Sequence, residues 1–136
     1  SLGGAEGATT AGAVCTWISG YPLRVSYASG APDYDPYRWA IGRMLKEGEG
    51  DLLLWIVSIS PDLVAPPTKI STVVLGTPGL ALTEPPSVFI PVGTPGVDHA
   101  GRLVRVDNVV TLPLKDLGRA DLPPVADVLS AIEAAL

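Results

Sequence analysis

The chain has 136 residues and 14.0 kDa, the size of one domain, and its 47% hydrophobic residues with a mean hydropathy of +0.36 supply a core and exclude disorder despite 15 glycines and 14 prolines. A net charge of -5 and a pI near 4.6, with no basic block, exclude a nucleic-acid backbone or an anionic membrane surface as partner. Charged residues are only 17%, against about 25% in an average soluble domain, so part of the surface is expected to be covered by another domain or a partner subunit.

In chain order, residues 1–13 read as a loop or a frayed end, and Val14–Ile18 as a short apolar, β-prone run closed by Gly20-Tyr21-Pro22. After the turn-rich stretch Gly30–Pro36, a helix is expected with Asp35 as N-cap and Pro36 in the first turn. Tyr37, Ala40, Ile41, Met44 and Leu45 recur at helical spacing and form its inward stripe; Trp39 falls off that stripe and is expected to face outward. Gly48 suits the C-cap, and Arg43 and Lys46 suit the negative end of the helix dipole. Leu52–Ile59 is continuously apolar, which predicts a strand buried on both faces, as in a parallel sheet. Ser71–Leu75 and Ser87–Ile90 read as two further strands. The crossover Ser60–Ile70 contains three prolines and leaves room for a very short helix at most. Gly101–Val106 and Val109–Leu114 flank Asp107-Asn108, a pair that tolerates a tight hairpin turn. Val125, Val128, Leu129, Ile132 and Leu136 mark an amphipathic helix entered through Pro123-Pro124. The whole reads as an open α/β sheet in a single domain over residues 1–136.

Little in the chain offers chemistry. A single cysteine, Cys15, excludes an internal disulfide and a cysteine-cluster metal site, and inside an apolar run it reads as an inert thiol. The one histidine, His99, neighbours Asp98 but has no nucleophile or second histidine to work with, so it reads as a polar loop residue. No catalytic residue and no metal ligand set is assigned. No apolar run reaches the roughly 20 residues a membrane span needs, no leader pattern opens the chain, and the chain is expected to be cytoplasmic. An opening without Met reads as the middle of a longer chain. Two copies of Gly-Thr-Pro-Gly, at 76–79 and 93–96, each follow an apolar strand. They are either simple Pro-Gly turns or ligand loops at strand carboxyl ends. Ser58 and Ser60, after the first long strand, are placed in the same way. Cofactor-binding candidates are therefore Ser58, Ser60, Gly76, Thr77, Gly93 and Thr94.

Several segments taken together go further. They are Thr16-Trp17-Ile18-Ser19-Gly20-Tyr21-Pro22, Gly30-Ala31-Pro32-Asp33-Tyr34-Asp35-Pro36, Asp51 to Val57, Val88-Phe89-Ile90-Pro91 with Gly96-Val97-Asp98-His99-Ala100-Gly101, and Arg105-Val106-Asp107-Asn108-Val109. In this order, over about residues 14–115, the set resembles the B subunit of formylmethanofuran dehydrogenase, a tungsten or molybdenum enzyme of one-carbon metabolism. The resemblance implies an open, mainly parallel Rossmann-like sheet with flanking helices and a β-hairpin near the C-terminal end. It implies that the chain is the C-terminal part of a longer molybdopterin-oxidoreductase-like subunit, with metal-binding cysteines in amino-terminal domains absent here. The loops after Ile59 and Leu75 would then face the molybdopterin guanine dinucleotide. The family tends to place acidic residues where this chain has Ser60 and Gly76, a departure that removes charge-assisted contacts and leads to no cofactor being expected on this chain. The bacterial formyltransferase/hydrolase complex, which releases formate without redox chemistry, has a B subunit of the same kind and is the preferred match. Implied partners are the other subunits of such a complex and the rest of the same subunit. Three readings follow: a structural subunit in tetrahydromethanopterin-linked one-carbon metabolism, the nucleotide-binding part of a redox-active dehydrogenase, or an unrelated α/β binding module.

Overall fold

The computed structural model describes residues 7–105 and 109–136, and the chain divides into two compact units. One unit runs to Asp51 and includes Thr68–Ile70; the other comprises Leu52–Pro67 and Ser71–Leu136.

The first unit opens with a helix, α1 (Ala8–Ser19), where a frayed end and a β-prone run were expected. Alanines at 8, 11 and 13 favour the helix, and its Thr16 and Ser19 hydroxyls donate back to the Gly12 and Cys15 carbonyls at 2.8 and 2.6 Å. Gly20 ends it in the left-handed region (φ 83), its N–H donating to the Thr16 carbonyl. The apolar run thus marks a helix stripe, Val14, Trp17 and Ile18, rather than a strand. Two-residue strands β1 (Val25–Ser26) and β2 (Asp33–Tyr34) pair antiparallel, and the Tyr21 ring stacks on Tyr34 with centroids 5.1 Å apart. Leu23 and Arg24 have φ of 47° and 51°, a conformation bulky residues adopt at a cost, and Arg24 is held there by donating to the Pro36 carbonyl at 3.0 Å.

Asp35 does cap, but it caps a turn. Its carboxylate accepts the Tyr37 and Arg38 N–H groups, both at 2.9 Å, and the helix proper, α2, begins only at Ile41 and runs to Glu47. Gly48 closes it as expected, at φ 69. Because Tyr37 lies in the turn and not on the helix, it is 85% exposed instead of inward-facing. Trp39 reverses the expectation in the other sense. It is half-buried, with its indole nitrogen buried and unpartnered and the Arg38 guanidinium 4.6 Å over the ring. Arg43 does not serve the helix end alone; it clasps Glu47 and Glu49. No residue described between 7 and 51 is buried.

The second unit holds a three-stranded parallel sheet, β3 (Leu52–Val57), β4 (Ser71–Gly76) and β5 (Val88–Pro91), with β4 in the middle. Leu53, Trp55 and Val57 share a face with Val74 and Phe89, and Leu63 and Leu80 from the two connections close over it as the core. On the opposite face Leu75 is fully buried, yet Leu52, Leu54 and Ile56 are exposed. Burial of β3 on both faces is therefore corrected to burial on one. The expected strand also stops at Val57, two residues early, since Ser58 onward turns away towards Pro61. Neither connection contains a helix among the described residues, in keeping with the short, proline-rich crossover expected at Ser60–Ile70. Pro61, Pro66 and Pro67 account for the first connection. The fold is mixed α/β, with one parallel sheet and two antiparallel pairs.

The hairpin appears as β6 (Gly101–Val104) paired antiparallel with β7 (Thr111–Leu114); its expected turn at Asp107-Asn108 lies outside the described residues. The C-terminal helix, α3, spans Val125–Ala135 with Pro124 at its N-cap, as the spacing predicts.

Candidate functional site

The parallel register sets Val57, Gly76 and Pro91 side by side, so β3, β4 and β5 end at one edge of the sheet. All six sequence candidates sit at or just beyond that edge: Ser58 and Ser60 after β3, Gly76 and Thr77 at the end of β4, Gly93 and Thr94 after β5. This is where open α/β sheets bind ligands.

Internal packing uses much of what those residues offer. A Cβ at Gly76 would lie 2.7 Å from Leu80 Cδ2 and 3.3 Å from the Phe89 ring, so glycine there makes room for the protein's own core. At Gly93 a Cβ would meet His99 Cδ2 at 2.9 Å and the Leu122 carbonyl at 3.0 Å. In the second Gly-Thr-Pro-Gly loop, Gly93 N–H donates to the Pro123 carbonyl, Thr94 N–H to Asp98 Oδ2 and Gly96 N–H to the His99 carbonyl, at 3.0, 2.8 and 2.7 Å. Pro95 has no N–H, so every amide of that loop is committed within the protein. The loop after β4 differs. Thr77 N–H donates to the Val57 carbonyl at 3.2 Å and Leu80 N–H to the Thr77 carbonyl at 3.0 Å, but the Thr77 hydroxyl is buried with no partner. A buried hydroxyl without a hydrogen bond is costly, and it is the one candidate side chain the fold leaves buried and unsatisfied. The strand-then-loop pattern places Thr77 here but carries no sign that its hydroxyl is orphaned, since that depends on packing.

His99 lies in the polar loop expected of it. Its Nδ1 is 2.7 Å from the Ala100 carbonyl and its Nε2 3.3 Å from the Gly93 carbonyl, so the ring faces backbone acceptors rather than a nucleophile. Cys15 Sγ sits 3.7 Å from the Ser19 hydroxyl on α1. Among the described residues no group of three or more His, Cys, Asp or Glu side chains is placed to hold a metal ion, and no helix is long and apolar enough to cross a membrane.

Fold and site together describe a mixed α/β chain whose strand carboxyl ends are largely taken up by its own packing and backbone hydrogen bonds. Its relatives are the B subunits of formylmethanofuran dehydrogenases. The chain is 31% identical over 101 residues to the B subunit of the tungsten-containing formylmethanofuran dehydrogenase 2 of Methanocaldococcus jannaschii, and 27% identical over 104 residues to that of Methanococcus maripaludis. Each alignment covers 71% of this chain and 23% of the relative, so the chain spans about a quarter of the length of these relatives. Among solved structures, the formyltransferase/hydrolase complex FhcABCD of Methylorubrum extorquens, determined with methylofuran, superimposes with a TM-score of 0.82 at 26% identity. That superposition covers 99% of this chain and 38% of the other. No family model matches the chain.

Proposed function

We propose that the chain is the C-terminal domain of a protein like the B subunit of formylmethanofuran dehydrogenase, in methanofuran- and tetrahydromethanopterin-linked one-carbon metabolism, with a structural role inside a cytoplasmic formyltransferase/hydrolase complex. The observation that carries this is the superposition of nearly the whole chain on the complex of M. extorquens. Two features support a structural rather than a cofactor-holding role. Ser60 and Gly76 stand where the family tends to place carboxylates, and the loop at 93–96 spends all its amides internally. The residues present therefore fit a guanine dinucleotide poorly. The apolar exposure of α1, with Trp17 89% exposed, fits a surface covered by the other domains and subunits. Co-expression with the remaining subunits, followed by metal analysis of the purified complex, tests the reading. The expected result is a stoichiometric complex without tungsten or molybdenum; an equimolar metal and pterin would overturn it.

The orphaned Thr77 hydroxyl favours the second reading, a nucleotide-binding edge contributed to a redox-active subunit, with Ser58, Ser60 and Thr94 at the same strand ends. Calorimetry with GDP separates the two. The structural reading expects no binding tighter than the millimolar range, and a micromolar constant would favour the second.

A further inference from the structure

The parallel sheet has two edges, and the sequence treats them differently. At one edge, the Val92 N–H donates to the Gly76 carbonyl at 3.0 Å. By the alternation of a parallel ladder, Val88 and Ile90 then turn their backbone groups to β4, while Phe89 and Pro91 turn theirs outward. The missing N–H of Pro91 falls on the open side, where it costs no ladder bond, and β5 is only four residues long. This is an edge built to stay an edge.

β3 has no such device. Its six residues, Leu52-Leu53-Leu54-Trp55-Ile56-Val57, include no charge, proline or glycine. The Thr77 N–H bond to the Val57 carbonyl at 3.2 Å fixes Leu53, Trp55 and Val57 as the residues that bond β4. Leu54 and Ile56 therefore present their N–H and C=O groups outward, and β3 pairs with β4 alone. The side chains of Leu54 and Ile56 are each 43% exposed on the face away from the core. An unpaired, apolar edge of this kind is an aggregation template unless something pairs with it.

Nothing among the described residues does. The chain steps from β3 to β4 to β5 in one direction, and the connections carrying Leu63 and Leu80 both cross on the Val57–Val74 face, as successive right-handed crossovers must. β6 and β7 pair only with each other. In doubly wound sheets, the half built this way is completed by a strand on the free side of the first one. The structural neighbour's chain is long enough to supply it, because this chain covers only 38% of that length.

We infer that the free edge of β3 is the attachment line for one further parallel β-strand, contributed by the part of the same subunit that lies outside these 136 residues. The inference rests on the reading of the chain as part of a longer subunit. Single-residue hydrogen exchange on that longer subunit tests it, with the outward Phe89 amide of β5 as internal reference. The Leu54 and Ile56 amides are expected to exchange at least about tenfold more slowly than that of Phe89, the effect of one added hydrogen bond on each. Equal exchange at all three amides, in a subunit that still assembles with its partners, overturns the inference and leaves the proposed function standing. Protection that grows with protein concentration would assign the edge to a second copy and equally overturn it. Failure of the subunit to join a complex counts against the proposed function, while the exchange comparison within the subunit still decides the strand.

Discussion

Thr77 and Gly76 are adjacent, both are buried at the end of β4, and they answer to opposite constraints. Thr77 carries a hydroxyl that the fold does not satisfy, so Thr77→Val, which keeps the shape and removes the polar atom, is expected to leave stability unchanged or raise it by up to about 1 kcal/mol. A thermal melt showing a clear loss instead would mean that the hydroxyl has a partner in solution. Gly76→Ala meets Leu80 at 2.7 Å and is expected to cost about 1–3 kcal/mol through overpacking. Gly79, three residues on, has nothing within 4 Å of its Cβ position and no left-handed φ, so Gly79→Ala serves as the neutral control in the same denaturation series.

At the scale of elements, the turn 36–39 is capped by one carboxylate. The Arg38 and then the Tyr37 N–H groups bond Asp35 and keep its pKa below the ordinary carboxylate value. A carboxyl whose folded pKa is depressed contributes stability above its unfolded pKa and loses it as pH falls through the folded value. Asp35→Ala is therefore expected to lower Tm by a few degrees at neutral pH and to lose that deficit against wild type in strong acid. Asp35→Asn should keep most of the cap and flatten the acid dependence, which melts across an acid pH series would resolve. Asp35 was readable from sequence as a capping residue, but the element it caps was not. Tyr37, Ala40 and Ile41 keep helical spacing whether or not the first of them is in the helix, and only backbone geometry separates a capped turn from a first helical turn. Strand β3 was readable because six apolar residues in a row leave few alternatives. One-sided burial of β3 was hidden for the same reason, since continuous apolarity reads alike whether the second face is covered by this chain or by another. Helix α1 was not legible because Val14, Trp17 and Ile18 satisfy a helical stripe and a β-prone run equally well. Placement of the candidate residues at one sheet edge followed from the strand-then-loop pattern, whereas the commitment of the Gly93 and Thr94 amides to Pro123 and Asp98 arises from long-range or loop geometry no local pattern encodes.

For the molecule as a whole, low charge and exposed apolar surface are two views of one property. Only 17% of residues are charged, and the region from 7 to 51 exposes Trp17, Ile18 and Tyr37 without burying a single described residue. Such surface is sustained in a working protein by being covered, and aromatic side chains contribute most when it is. The isolated chain is expected to bind a hydrophobic dye such as ANS at neutral pH and to associate as its concentration rises. The stripe on α1 is the place to intervene, because Trp17 and Ile18 are largely exposed and their removal takes little from the chain's own packing. The double variant Trp17→Ser with Ile18→Ser should cut dye binding and association severalfold and leave Tm nearly unchanged, the usual outcome for surface substitutions. Leu75→Ala is the contrasting control: that side chain is fully buried, and its loss should cost about 2–5 kcal/mol by leaving a cavity. If the double variant melted as early as Leu75→Ala, Trp17 and Ile18 would belong to the core of this chain, and the surface awaiting a partner would have to lie elsewhere.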